Sequence, residues 1–532
     1  MKKIISLLLT LTLLLTVTSC HTSQKVAQGT DTSVTRTRSG NDSKHEFRGA
    51  WVQTAWQDRY MNKTPEKCRQ YLDQLIETLS QSGFNAVLFQ VRPEGDAFYD
   101  SQYEPWSRFL TGRQGKAPSP AWDPMAYLIQ LCHNHGMEFH AWINPYRMFS
   151  SKNLALASGH LYYRHPEYFV TFDDKLYLNP GLPESRSWIR EVVKDIVSRY
   201  DVDAIHMDDY FYPYPVADKE FNDLRAFQVY GPQFGFTNTT SRAELGKFRR
   251  HCVDILIKSV GQDIKSLKPW VRFGVSPFGI YRNKKTWAGG SDTNGTQCYD
   301  DLYADVLRWA NDGWIDYVIP QLYWEIGHKS ADYTTLCNWW AKNITSNCHL
   351  YIGQSIERSL DNGNNLLSSH SHFDKKLKLS SQKGVDGNCF WYAYEIEDNQ
   401  FGVRDYLQQR VFTTRALPTA YTELNKKPMG KASGLDGTLV RTQAGQVGIR
   451  LTWKAPAAMA GNGVRFYNVY RFKKGESVNT SSLRHIYRQV ASTELYDFDI
   501  KGSTKYTYVI TPVDYYNNEG KAIRKSFKLN LH

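Results

Sequence analysis

The sequence predicts a (β/α)₈ TIM barrel followed by a small all-β, immunoglobulin-like sandwich. Eight short apolar runs recur between longer segments with helical periodicity, and this alternation favours a closed parallel sheet. After residue 410 the pattern changes to strands with no helical segment between them. The 532 residues are also too many for one compact core of the usual size, so two domains are expected.

Each predicted barrel strand is a short, β-rich run. The eight runs are Phe47–Thr54, Phe84–Arg92, Glu138–Tyr146, Val202–Tyr210, Arg272–Gly279, Asp316–Trp324, Leu350–Ile356 and Gly387–Tyr394. An open doubly wound sheet is the alternative, but no GxGxxG or GxxxxGKS/T motif follows any run.

Amphipathic segments separate these strands, and six have the apolar spacing of helices. They are Thr64–Ser82, Asp123–His135, Ser187–Tyr200, Ala243–Ile264, Tyr299–Asp312 and Tyr333–Ile344. Long loops follow several strands, at residues 93–121, 147–184, 211–241 and 280–297. Because barrel enzymes keep their sites on the C-terminal face, these loops are expected to carry the site.

The C-terminal region predicts a sandwich over residues 436–532, joined to a barrel at 46–410 by a linker at 411–435. Its predicted strands are Gly448–Trp453, Val464–Phe472, Tyr496–Asp499, Lys505–Asp514 and Ala522–Leu529. Trp453 and Tyr506 resemble the core Trp and the tyrosine corner of fibronectin type III domains. We expect packing roles for both residues and no catalysis in this module.

The N-terminus is typical of a bacterial lipoprotein signal peptide, predicted at residues 1–19. Lys2 and Lys3 precede an apolar run that is too short to span a membrane, and small residues lead to Cys20. This ending resembles a lipobox, so Cys20 is the predicted lipidation site, although a signal peptide with an incidental Cys is the alternative. Residues 20–45 are polar and predict a flexible tether. The expected location is the cell envelope, with a lipid anchor in the membrane.

Charge and cysteine content exclude some partners. The net charge of +12 is dispersed, with no basic arm of the kind that binds nucleic acid. Seven further cysteines show no CxxC or Cys/His spacing, so we expect no metal, no cofactor and mostly buried thiols. Cys337 and Cys348 are close enough in sequence to suspect a disulfide. The sequence does not indicate the oligomeric state.

The strongest chemical signal is Asp208 and Asp209 at the end of the fourth predicted strand. Two adjacent carboxylates are costly to bury unless they are hydrogen-bonded or used in a reaction. Since side chains alternate along a strand, one carboxylate should face the barrel mouth and the other the neighbouring wall. A loop-capping Asp remains the alternative for one of the two, and we expect His206 to be a packed residue.

Other strand ends bring polar and aromatic side chains to the same face. As catalytic candidates we add Asp96 and Glu325. As substrate-binding candidates the strand ends supply Arg92, Asn144, Tyr146, Arg147, Tyr323, Trp324 and Trp391. Glycosidic cleavage needs a carboxylic acid and a second group that supplies or assists the nucleophile, while aromatic faces stack on sugar rings. A single Tyr or Trp is more often a packing residue, so the inference depends on their shared location.

Six motifs in order resemble the glycosyl hydrolase-like 10 family, formerly domain of unknown function 187, from about residue 46 to 410. They are Arg48-Gly-Ala-Trp-Val, Gln90-Val-Arg-Pro-Glu-Gly-Asp-Ala-Phe-Tyr, Glu104-Pro-Trp-Ser with Leu110-Thr-Gly, His140-Ala-Trp-Ile-Asn-Pro-Tyr-Arg, Asp208-Asp-Tyr-Phe-Tyr-Pro and Ile319-Pro-Gln-Leu-Tyr-Trp. The resemblance implies a bacterial glycoside hydrolase, commonly secreted or lipid-anchored, and the activity known in the family concerns the glycan strands of peptidoglycan without fixing the substrate of each member. It matches Asp208 and Asp209 to the family's acidic pair, and Asp96 to an acid after strand two. It also matches Asn144, Tyr146 and Arg147 to the family's Asn-Pro-Tyr-Arg motif.

Our mechanistic hypothesis makes Asp209 the general acid and Asp208 its electrostatic partner, with Asp96 or Glu325 as the second functional carboxylate. Retention or inversion depends on the carboxyl separation, and a substrate N-acetyl group can replace the protein nucleophile. Two rival functions stay open at this point. One is a glycan-binding lipoprotein without turnover, and the other is an enzyme on a dietary or host polysaccharide.

Overall fold

The computed structural model describes residues 44–151, 155–359, 372–426, 429–457, 463–501 and 505–528. The predicted signal peptide, Cys20 and nearly all of the predicted tether lie outside these residues. No helix in the described segments is long and apolar enough to cross a membrane.

Eight parallel strands close into a barrel in which each strand pairs with its neighbours in sequence. They are β1 (Phe47–Val52), β2 (Ala86–Arg92), β3 (Glu138–Ile143), β4 (Ala204–Met207), β5 (Arg272–Val275), β6 (Tyr317–Val318), β7 (His349–Ser355) and β8 (Gly387–Trp391). β8 pairs with β1 through Phe47 and Gly387, which closes the barrel. The predicted TIM barrel is confirmed.

Helices cover the outside of the barrel. They are α1 (Pro65–Gln81), α2 (Pro124–Asn134), α3 (Pro183–Arg199), α4 (Arg242–Leu267), α5 (Val306–Asn311), α6 (Tyr333–Asn343), α7 (His372–Gln382) and α8 (Ala393–Glu397). Thr64 and Asp123 cap α1 and α2 by accepting backbone N–H groups, and a proline opens each helix.

Several strands end earlier than the sequence predicts. The fourth run was expected to reach Tyr210, but β4 ends at Met207, and the sixth was expected to reach Trp324, but β6 ends at Val318. The apolar and aromatic character continues past the sheet because the following residues fill the barrel mouth. A periodicity argument cannot separate these two uses of the same residue types.

The C-terminal region forms two antiparallel sheets. Its strands are β9 (Ser433–Arg441), β10 (Val447–Lys454), β11 (Phe466–Lys473), β12 (Ile486–Val490), β13 (Glu494–Asp497), β14 (Lys505–Val513) and β15 (Ile523–Lys528). Three strands pair in the order β9-β10-β13 and four in the order β12-β11-β14-β15. The sequence missed β9 and β12, which are sheet-edge strands with few buried side chains and a weak apolar alternation.

The core of the sandwich supports the predicted packing roles. Trp453 is buried and meets Tyr467 edge-on, at 5.4 Å between ring centroids. The Tyr506 hydroxyl donates to the Lys501 carbonyl at 2.8 Å, the type of contact that defines a tyrosine corner. The all-β module is confirmed, while its fibronectin type III identity and the predicted domain boundaries stay predictions.

The sandwich packs against the N-terminal face of the barrel. The Asn517 side chain lies between β14 and β15 and donates to the Glu138 carboxylate at the start of β3, at 2.7 Å. Arg272, at the start of β5, forms an ion pair with the same carboxylate. These contacts leave the opposite, C-terminal face open for the loops.

The seven cysteines outside the N-terminal segment are buried, as expected. The suspected disulfide between Cys337 and Cys348 is wrong, because Cys337 is a free thiol on the buried face of α6. The Cys348 Sγ lies 3.8 Å from the His349 carbonyl oxygen. Closeness in sequence does not bring two thiols together when one is fixed on a helix.

Candidate active site

The strand register brings Asp208 next to Asn144. Ile143, the last residue of β3, pairs with Met207, the last residue of β4. The next residue of each strand is therefore at the same level of the barrel rim. In β4 the residues Ala204 and His206 face the barrel interior, and Asp208 continues this alternation.

Three donors surround the Asp208 carboxylate, which is 5 % exposed. The Trp142 indole donates to its Oδ2 at 3.3 Å, and the Asn144 amide donates to the same oxygen. The Tyr210 backbone N–H approaches Oδ1 at 3.4 Å. Asp208 is therefore held in place and not free to rotate.

Asp209 is equally buried but has different neighbours. The Tyr214 hydroxyl, from the loop after β4, donates to its Oδ2. The Gln321 side chain, from the segment after β6, lies near the same carboxylate and donates to the Ser276 carbonyl at 2.9 Å. The two acids of one strand end are thus engaged by different walls of the mouth.

Burial raises the pKa of both carboxyl groups above the usual range for Asp. For Asp208 the negative charge of Asp209 adds to the effect of burial, while Arg147 opposes it. For Asp209 the Tyr214 hydrogen bond partly offsets burial. Because two buried carboxylates cannot both ionise cheaply at close range, the pair retains a proton closer to neutral pH than an exposed Asp does.

Arg147 supplies the positive charge beside the pair. Its guanidinium donates to the Asn144 Oδ1 at 2.9 Å and to the Pro93 carbonyl at 3.2 Å. It also lies 4.9 Å from the centroid of the Tyr210 ring. The predicted positions of Asn144 and Arg147 in the site agree with these contacts.

Aromatic rings form the floor of the mouth below the acids. Trp391, at the end of β8, is half-buried and meets Trp51 and Trp142 edge-on, at 6.3 and 6.1 Å. His206 is fully buried, stacks on Tyr317 and contacts the Ser276 hydroxyl at 2.9 Å. Burial lowers the pKa of His206 well below its usual range, so the imidazole is a neutral packed residue, as predicted.

Two predicted aromatic residues follow β6. Tyr323 is half-buried, and burial raises the pKa of its hydroxyl, with a smaller contribution from the negative charge of Asp209. Trp324 packs edge-on against Phe278 at 5.3 Å, and Phe278 in turn contacts Tyr214. Trp324 therefore supports the residue that binds Asp209.

The structure places two predicted binding residues outside the open mouth. Arg92 is fully buried, forms a bidentate ion pair with Glu104 at 2.6 and 2.7 Å, and donates to the Pro145 carbonyl. It positions the Asn-Pro turn instead of contacting a substrate. Tyr146 is 1 % exposed and belongs to the outer core, because Pro145 ends the strand alternation before it.

No hydrogen bond or ion pair within the described segments joins the two additional catalytic candidates to the acidic pair. Asp96 is fully buried in the loop after β2, where it accepts from the Arg108 N–H and the Gln114 amide, both at 3.3 Å. Glu325 is exposed in the loop after β6. The sequence showed that these acids follow barrel strands, but it could not show the direction of either side chain.

Sequence reasoning missed two residues that hold the acids. Tyr214 donates to Asp209, and Gln90 donates to the Asn144 Oδ1 at 2.9 Å. Gln90 ends an apolar run, and a polar residue at the end of a barrel strand was the signal that could have found it. A further strand-end residue, Glu395 after β8, is buried and accepts from the Tyr392 N–H at 3.2 Å, and burial raises its pKa to about 7.

The arrangement provides the groups that general acid catalysis requires. Within the described segments, no group of three or more His, Cys, Asp or Glu is placed to hold a metal ion. A paired carboxyl group that keeps a proton near neutrality can protonate a leaving oxygen. Rings on the floor of the mouth can stack on a sugar.

Comparison with known proteins identifies the family. The profile of the glycosyl hydrolase-like 10 proteins matches residues 46–366. The chain is 34% identical to glycosyl hydrolase YngK of Bacillus subtilis over 497 residues, covering 91% of this chain and 94% of that protein. It is 38% identical to glycosyl hydrolase DigH of Escherichia coli K12 over 289 residues, covering 52% of this chain and 63% of that protein.

Solved structures resemble the chain only loosely. The PgaB glycoside hydrolase domain from Bordetella bronchiseptica aligns at 11% identity with a TM-score of 0.44, covering 68% of this chain and 99% of that one. The family match over residues 46–366 and the near full-length relative establish the family without any structural comparison. The chain belongs to the glycosyl hydrolase-like 10 family and is a glycoside hydrolase.

Proposed function

We propose that this enzyme hydrolyses the glycan strands of bacterial peptidoglycan. The observation that carries the proposal is the buried Asp208–Asp209 pair above an aromatic floor, which suits a sugar polymer with a protonated catalytic acid. The lipobox-like ending at Cys20 supports a place at the envelope, held by a lipid and separated from the membrane by the polar segment that follows. Such a location would bring the enzyme close to the cell wall.

We assign Asp209 as the general acid and Asp208 as the residue that orients the substrate. Asp208 receives three donors, which favour its ionised form and oppose the rise in its pKa that burial and the charge of Asp209 cause. Asp209 accepts the Tyr214 hydroxyl on Oδ2, which leaves its other oxygen available for a proton. Catalysis at near-neutral pH needs one neutral and one ionised carboxyl group. In this proposal Asp209 is the neutral group and Asp208 the ionised one.

The substrate's own N-acetyl group is the nucleophile in this proposal. Asp96 is fully buried in the loop after β2, and Glu325 is exposed in the loop after β6. The main charges that act on Asp208 and Asp209 are their own carboxylates and Arg147. A 2-acetamido carbonyl oxygen would form a bond to C1 as the C1–O glycosidic bond breaks. Asp209 would protonate the departing oxygen, and the Asp208 carboxylate would accept a hydrogen bond from the acetamido N–H.

In the second step, water attacks C1 and gives its proton to the Asp209 carboxylate. The bond from C1 to the acetamido oxygen breaks, and the acetamido group is restored. Two inversions at C1 give net retention. NMR of the first product anomer tests this step: a retained configuration is expected, and an inverted one contradicts N-acetyl participation.

The substrate is tested with the purified chain from His21 onwards. It is incubated with peptide-free peptidoglycan strands and, in parallel, with plant and host polysaccharides, and products are measured as new reducing ends and by mass spectrometry. We expect cleavage of the peptidoglycan strands. Cleavage confined to another polysaccharide would refute the proposed substrate and favour a dietary or host glycan.

A further inference from the structure

Trp56 is the most exposed large apolar side chain among the described residues. It is 62% exposed and lies in the loop after β1, on the face of the barrel that carries the acids. A single exposed apolar residue is ordinary on a protein surface. Two further features distinguish this one.

The first feature is that Trp56 is fixed. Its φ is 61°, in the left-handed region that a bulky residue rarely adopts. The ring meets Phe109 edge-on at 5.0 Å, and the Arg108 guanidinium lies 4.8 Å from its centroid. Arg108 is anchored in turn by two contacts, at 3.1 and 3.2 Å, to the buried Glu94 carboxylate. The ring is therefore supported while most of its surface faces solvent.

The second feature is a buried connection to the acids. The Gln90 side-chain oxygen accepts the N–H groups of Thr54 and Ala55, at 3.0 and 3.1 Å. The Gln90 amide donates to Asn144, and Asn144 donates to Asp208. The loop that carries Trp56 is thus held in register with the catalytic carboxylate by hydrogen bonds that are shielded from water.

We propose that Trp56 is the stacking platform of a distal sugar subsite. Its ligand is a pyranose ring of a glycan chain. Another sugar of the same chain lies at Asp208 and Asp209, so the inference rests on the proposed function. A flat, supported ring suits the apolar face of a sugar, and fixing it in advance lowers the entropy lost on binding. The platform favours long chains over short ones.

The test compares peptide-free glycan strands of graded length, from disaccharide to octasaccharide and longer. For Trp56→Ala we expect KM to rise about tenfold on long strands, with kcat unchanged, which corresponds to a loss of about 1.4 kcal/mol in binding free energy. Trp56→Phe should retain most of the affinity. Tyr496→Ala, which removes a 47% exposed ring of the sandwich, is the matched control and should behave as wild type.

Two results would overturn the inference. One is an unchanged KM of Trp56→Ala on every strand length; loss of a dimer on sedimentation of this variant would then indicate that Trp56 contacts a second copy. The other is an equal loss on all strand lengths, which would indicate general damage to the mouth. Wild type that cleaves no strand would refute the proposed function itself, and with it this subsite.

Discussion

At the scale of single residues, the molecule divides one pair of carboxylates by their neighbours. Asp208 lies among an indole, an amide and a backbone N–H, whereas Asp209 meets a tyrosine hydroxyl and Gln321. Both are buried, and the pKa of each is raised, first by desolvation. Their ionisation therefore opposes folding, and the proposed catalysis uses the proton that one of them retains.

The pair should make stability depend on pH in a predictable direction. A carboxyl group whose pKa is raised in the folded state contributes stability below its unfolded pKa of about 4, and that stability is lost as pH rises toward the folded pKa. Relative to wild type, Asp208→Asn and Asp209→Asn should therefore gain stability between about pH 4 and neutrality, by on the order of 2 kcal/mol. Denaturant unfolding at several pH values measures this. A difference that does not change with pH would contradict the raised pKa values.

At the scale of elements, the site is an assembly of strand ends. β2 supplies Gln90, Asn144 follows β3, Asp208 follows β4, and their hydrogen bonds run sideways across the rim. The loops add Arg147 and Tyr214 from two different walls. Neighbouring strands thus hold the Asp208 carboxylate through the hydrogen bonds of Gln90 and Asn144.

Sequence reasoning found the strand ends but not the directions of their side chains. Asp208, Asp209, Asn144 and Arg147 could be predicted, because polar residues after apolar barrel strands gather on one face. Arg92 and Tyr146 could not be excluded, since a β-bulge between Gln90 and Arg92 and the turn at Pro145 break the alternation. Trp56 was missed because its exposure is a property of the folded loop and not of its sequence neighbours.

Asn144 gives a test at this scale. Asn144→Ala removes a donor to Asp208 and the acceptor for Gln90 and Arg147. We expect kcat to fall on the order of 10- to 100-fold, since a hydrogen bond to a charged group is worth about 1.5–3 kcal/mol.

The control is Tyr146→Phe, from the same motif. The Tyr146 hydroxyl is buried without a hydrogen-bond partner in the described structure, so its removal should leave kcat near the wild-type value. If both variants lost activity equally, the turn as a whole would matter and not the Asn144 side chain.

At the scale of the whole molecule, the sandwich covers the N-terminal face of the barrel. Arg465, just before β11, forms an ion pair with Asp203 at 2.9 Å and contacts His133, and all three are buried. Although burial opposes ionisation of Asp203, Arg465 and His133 lower its pKa below the usual range. Asn517 adds a neutral donor to Glu138, which also forms an ion pair with Arg272 of the barrel. The two modules therefore share a buried polar interface.

Removing one partner of this network should be costly. Arg465→Ala leaves the Asp203 carboxylate buried without its cation, so we expect a loss of roughly 3–5 kcal/mol in the free energy of unfolding. The control is Arg450→Ala, which breaks the exposed pair with Glu494 in the same module and should cost at most about 1 kcal/mol. Equal losses in the two variants, measured by denaturant titration, would argue against a structural role for the contacts of Arg465 with Asp203 and His133.

The central claim is that Asp208 and Asp209 together form the catalytic centre. The most direct measurement is the rate of new reducing-end formation on peptide-free glycan strands by wild type, Asp208→Asn and Asp209→Asn, each confirmed as folded by its melting curve. We predict that each variant loses about 10²–10⁴-fold in kcat, the range expected for removal of a general acid or its partner. Full hydrolysis by both folded variants would contradict the assignment and move the chemistry to another carboxyl group of the mouth.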